Sequence, residues 1–90
     1  MVRNYKHSCI VNVAQDNPLD SSVQIIGYRE VGLSQQDYNV LLNYLNVNEL
    51  SVPLRVGIDS SLAQYLIRKM YRFKKERLEL SSYLIVSSIN

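Results

Sequence analysis

From Tyr5 to Val13 the chain alternates between two sets of positions: Tyr5, His7, Cys9, Val11 and Val13 on one side of an extended backbone, Lys6, Ser8, Ile10 and Asn12 on the other. A period of two predicts a strand. The cluster Gln15-Asp16-Asn17-Pro18 with Asp20-Ser21-Ser22 is dense in turn formers and stops it. Val23 to Val31 resumes the extended pattern, with Val23 and Ile25 on one face and Ile26 and Tyr28 on the other. Gly27 inside that run suggests a bulge or a close backbone approach, and Gly32 is expected to end it. The two runs predict a hairpin with a long loop.

After Gly32 the period changes. Ser34-Gln35-Gln36-Asp37 resembles a capping box, with Ser34 as cap and Asp37 in the first turn, and Tyr38, Leu41, Leu42 and Leu45 follow at helical spacing. Asn46-Val47-Asn48 closes this helix, Pro53 blocks its continuation, and Leu54, Val56 and Ile58 alternate with Arg55 and Gly57 as a short strand. Asp59 or Ser60 caps a second helix running to Leu80, because no Gly or Pro interrupts the chain beyond Ile58. Its apolar stripe is Leu62, Ala63, Leu66, Met70 and Phe73, while Arg68, Lys69, Arg72 and Lys75 gather on the far side with Tyr65 at the edge. Lys74 and Arg77 encroach on the stripe, so the packed part is expected to end near Phe73. Tyr83 to Ile89 reads as a final strand from its β-branched run, the alternative being a short helix capped by Ser81. The expected fold is α+β: one small domain, residues 1–90, in the order strand-strand-helix-strand-helix-strand, with an antiparallel-rich sheet covered on one face by the helices.

Composition changes this picture in two places. Ninety residues with 47% hydrophobic content form a small core and leave much apolar surface wet, so a homodimer is expected. Seven Tyr against one Phe and no Trp suit an aromatic surface that wants a polar partner. The net charge of +2 is small, but six of the ten Lys and Arg residues lie between Arg68 and Arg77 with Glu76 as the single acid among them. Charge is therefore concentrated rather than large. One Cys, no basic-then-apolar leader and no apolar run near the roughly 18 residues of a membrane span point to a cytoplasmic protein without membrane contact.

Candidate chemistry is sparse. His7 and Cys9 share a strand face, as a base and a thiol nucleophile would, yet no third group orients them, and two strand residues are the simpler reading. Asp16 and Asp20 flank Pro18 without a glycine-containing ligand loop, so they read as turn formers, and one His with one Cys cannot build a zinc site. Gly57-Ile58-Asp59-Ser60-Ser61 joins a strand to a helix, where backbone N–H groups bind phosphate, but Asp59 would repel an anion. No enzyme and no cofactor is expected. The basic helix face carries the functional expectation: Arg68, Lys69, Arg72 and Lys75 following a nucleic-acid backbone, with docking to an acidic protein surface as the alternative and a merely solvated face as the baseline.

Pro53-Leu54-Arg55-Val56-Gly57-Ile58, then Leu66-Ile67-Arg68-Lys69-Met70 and Leu80-Ser81-Ser82-Tyr83-Leu84-Ile85, resembles the ribbon-helix-helix family of DNA-binding dimers over the last 40 residues. The resemblance implies that Arg55 reaches base edges while Leu54, Val56 and Ile58 face the core. It also implies two helices after the strand, although no glycine or turn cluster separates them.

Overall fold

The computed structural model describes residues 6–20, 22–70 and 75–90, those at 75–77 by backbone alone. The strands β1 (His7–Asp16) and β2 (Val23–Leu33) lead into helix α1 (Gln35–Val47), strand β3 (Leu54–Gly57), helices α2 (Ser61–Lys69) and α3 (Lys75–Leu80), and strand β4 (Tyr83–Ile89). One four-stranded sheet has the order β2-β1-β4-β3, and every neighbouring pair is antiparallel. This is the expected α+β class and element order, with the basic helix in two pieces.

The alternation of β1 decides which way the sheet faces. Cys9, Val11 and Val13 are fully buried, and the register sets Val11 beside Val86 and Val86 beside Leu54, while Val13 lies beside Leu84 and Leu84 beside Val56. These rows form an apolar surface across three strands. Leu41 and Leu45 of α1 and Leu62, Ala63 and Leu66 of α2 join it in a single core cluster, so both helices cover the same sheet face. Leu66, which no solvent reaches, contributes about 2 kcal/mol by this burial.

Both strands of the hairpin run further than the turn residues suggest. Gln15 and Asp16 pair with Gln24 and Val23, leaving a turn held by Asn17 Oδ1, which accepts from the Leu19 N–H at 2.9 Å, and by Asp20 Oδ1, which accepts from the Ser22 N–H at 2.9 Å. Gly32 does not end β2, because Leu33 is fully buried and paired with His7. The bulge expected near Gly27 is present: Val13 faces Gly27 and Ala14 faces Ile25, so Ile26 is the extra residue. A second irregularity lies between Ile10 and Val11, opposite Ser88 and Val86, which makes Ser87 the extra residue of β4.

The long basic helix is the main correction. Ser60 caps α2 by accepting from the Ala63 N–H at 3.1 Å, but the helix ends at Lys69, and Met70 takes the non-helical ψ of 73° while its N–H reaches Ile67. Helical continuation would stack Arg68 beside Arg72 and turn Lys74 toward the apolar side, and both effects oppose it. Leu62, Ala63, Leu66 and Met70 form the expected buried stripe, whereas Phe73 and Arg72 lie outside the described residues. The ribbon-helix-helix resemblance also fails here. β3 pairs with β4 of the same chain, and the segment that should be a second helix is that strand.

Helix α1 ends in a Schellman arrangement, with the Leu50 N–H reaching the Leu45 carbonyl at 2.8 Å and the Glu49 N–H reaching that of Asn46 at 3.2 Å. Glu49 occupies the left-handed position, with φ of 54°, where a side chain is strained and glycine is not. Glu49→Gly should therefore stabilise the protein by about 0.5–1 kcal/mol in chemical denaturation with an unchanged m-value, since relief of αL strain outweighs the added chain entropy.

Candidate functional site

The first question for the basic surface is which of its charges are free. Arg68 stands exposed near the C-terminal end of α2 and has no hydrogen-bond or ion-pair partner among the described residues. Its neighbour Lys69 is engaged. Lys69 Nζ lies 2.9 Å from Asp37 Oδ2 and 4.8 Å from the centroid of the Tyr65 ring, and the pair is largely shielded, with 28% and 21% of the two side chains accessible. The Tyr65 hydroxyl donates to the other carboxylate oxygen, Asp37 Oδ1. Asp37 thereby receives two donors from α2 in addition to holding its own N–H on the Ser34 hydroxyl at 3.1 Å. The cluster ties the first turn of α1 to the last turn of α2.

The electrostatics follow from this geometry. The Tyr65 hydrogen bond, aided by Lys69, holds the Asp37 carboxyl down at about 2 against the opposing effect of burial. The same contacts push Lys69 up, chiefly through its hydrogen bond to Asp37, and Tyr65 is raised first by burial and then by Asp37. Lys69 is thus a charge already neutralised locally. Of the four expected contact residues, Arg68 is exposed, Lys69 is paired, Arg72 lies outside the described residues, and Lys75 opens α3 with its side chain undescribed.

The other candidate groups are occupied in structural roles. Cys9 is fully buried, and burial pushes its thiol up to about 11, which suppresses the thiolate that nucleophilic chemistry needs. His7 points away to α1: its ring stacks on Tyr38 with centroids 3.7 Å apart, Nε2 lies 3.0 Å from Gln35 Oε1, and Nδ1 lies 3.2 Å from the Asn90 main-chain oxygen. Arg55 projects from the sheet face opposite α1 and α2, as alternation requires, with its guanidinium 4.1 Å from the Tyr83 ring centroid and Nη2 donating to the Tyr83 hydroxyl at 3.1 Å. Tyr83 in turn donates to Asp16 Oδ1 at 3.1 Å, so Asp16 and Asp20 do not converge on one point.

A shallow cleft between α1 and α2, bordered by Val40, Tyr44, Ser61, Leu62 and Tyr65, is apolar apart from three hydroxyls. Among the described residues no three His, Cys, Asp or Glu side chains are grouped to hold a metal ion, and no helix is long and apolar enough to cross a membrane. No protein-family model matches the chain, and neither curated proteins nor solved structures provide a match. The reading of function accordingly rests on this chain's own geometry.

Two outcomes follow for the buried and paired groups. Because folded Asp37 holds its proton less tightly than the unfolded carboxyl, whose ordinary value is about 3.9, its stabilisation is complete above roughly pH 5 and is lost as pH falls toward 2. Asp37→Asn should cost about 1–2 kcal/mol at neutral pH and flatten the acid limb of a denaturation series between about pH 5 and 2. Cys9 should resist alkylation by iodoacetamide in the folded protein and react fully in denaturant, as mass spectrometry of the adduct would record.

Proposed function

We propose that the chain is a non-enzymatic binding protein that engages a nucleic-acid backbone through the basic segment running from Arg68 to Arg77. The observation that supports this reading most directly is the concentration of six bases in ten positions, beginning with Arg68, which is exposed and unpaired among the described residues. A polyanion is the partner for which clustered like charges are an advantage, because each bound phosphate releases counterions while the protein loses self-repulsion. Arg68, Arg72 and Lys75 are assigned to the phosphates. Lys69 is assigned a supporting role: by holding Asp37 it fixes the end of α2 from which the segment departs. The protein acts as a homodimer, which doubles the number of basic segments that one nucleic acid meets.

The alternative partner, an acidic protein surface, draws on the same charge cluster and differs in its test. Fluorescence anisotropy with a labelled duplex, a single strand and a structured RNA at about 50 mM salt should detect binding, with an affinity that falls linearly with salt on logarithmic axes. Arg68→Ala should lower the magnitude of that slope by about one, with little dependence on base sequence. Failure of all three probes at that ionic strength eliminates the nucleic-acid reading. Recovery of one stoichiometric acidic protein, lost on reversing the charges of Arg68 and Arg72, would move the function to that partner.

A further inference from the structure

Among the described residues the helices cover one face of the sheet and leave the other without a helix. That second face is bare at its margins, although at its centre Ala14 and Tyr83 are closed off from solvent. On the bare face the register aligns two rows across all four strands: Tyr28, Asn12, Ile85 and Arg55 in one, Ile25, Ala14, Tyr83 and Gly57 in the next. The two margins of this face differ in kind. The β2 margin carries large exposed groups, with Ile25 at 50% and Tyr28 at 63% accessibility, and the acid Glu30 one row beyond Tyr28. The β3 margin carries the exposed cation Arg55 and a recess at Gly57, where no atom lies within 4 Å of the position a Cβ would take. On this face one margin projects and carries a single acid, and the other is recessed and carries a single base.

We infer that the bare sheet face binds a second copy of this chain, face to face about a two-fold axis parallel to the strands, so that the β2 margin of each copy lies over the β3 margin of the other. The inference rests on the dimer reading above and is independent of the nucleic-acid reading. Sheets packed this way lie about 10 Å apart, the distance at which side chains of the two inner faces interdigitate. The shared rows then decide what meets. Tyr28 of one copy covers Arg55 of the other, Ile25 enters the space above Gly57, and Glu30 lies about 7 Å along the strand from Tyr28, within reach of the same guanidinium.

Arg55 is suited to this position. One side of its guanidinium already rests on the Tyr83 ring, and the opposite side of a planar cation can take a second aromatic ring. Asn12, which would be enclosed near the axis, already donates through Nδ2 to the Ile85 carbonyl at 3.2 Å, which lowers the cost of removing it from water. The competing two-fold, perpendicular to the strands, lays β2 over β2 and β3 over β3. It sets Glu30 near Glu30 and Arg55 near Arg55, and leaves the Gly57 recess without an occupant. Charge and shape therefore select the same axis.

The test uses the full chain without nucleic acid. Analytical ultracentrifugation over a micromolar concentration series should show a monomer–dimer equilibrium, and Ile25→Lys should raise its dissociation constant by about tenfold or more while circular dichroism stays unchanged. A short bis-maleimide should cross-link two chains of the Tyr28→Cys, Arg55→Cys double variant and neither single variant, since like positions are on the order of 17 Å apart about this axis. The parent chain, whose Cys9 is buried, should give no cross-link. A chain that stays monomeric overturns both this surface and the dimer reading. A dimer that Tyr28→Cys alone cross-links, as pairing between β2 edges would allow, or one that is indifferent to Ile25→Lys, overturns this surface and leaves the dimer reading standing.

Discussion

Everything in this molecule is arranged around the division of β1 into two faces. As a central strand it pairs on both sides, and its odd-numbered residues Cys9, Val11 and Val13 are closed off from solvent while Ile10 and Asn12 are only partly covered. A slip of one residue would exchange those sets and expose the whole core, which is why the register is tightly specified. Helices α1 and α2 are amphipathic solutions to covering the odd face. Their positions follow from it, and so do the residues left for function, which must come from the helix backs, the loops or the other face of the sheet.

The helical layer needs more than apolar contact to hold its orientation. α2 has only nine residues, and its buried stripe is short, so the tie from Asp37 to Tyr65 and Lys69 fixes the end of the helix where the stripe runs out. The carboxylate serves two helices at once. It stands in the first turn of α1, where a negative charge is favoured, and accepts a cation from the last turn of α2, where a positive charge is favoured. Lys69 thus belongs to the fold, and its neighbour Arg68, one residue away on the helix, is turned to solvent.

Periodicity made the elements legible, and adjacency was what it could not supply. The alternation in β1, the cap at Ser34 and the stripe from Leu62 to Met70 were readable because each is a local pattern whose physical cause lies within a few residues. The extension of β2 through Gly32 was hidden, since its cause is the burial of Leu33 against a distant core. The break after Lys69 carries no glycine or proline to announce it, and the partnership of Lys69 with Asp37 spans 32 positions of sequence. On a helical wheel Lys69 and Arg68 belong to one basic face; only the packing of two helices separates them.

The extra residue in β2 bears on how the sheet avoids indiscriminate growth. An edge strand of 11 residues would ordinarily offer a flat, regular template to any extended chain, and its apolar content would make that template adhesive. The bulge at Ile26 breaks the repeat near the middle of the edge and adds local twist, so a neighbouring strand cannot follow it in register from end to end. The same irregularity shifts the alternation by one, so Ile25 and Tyr28, three positions apart and expected on opposite faces, share the face away from the helices, while Ile26 packs toward the core. A single inserted position thus acts as protection against fibre-like stacking along this edge.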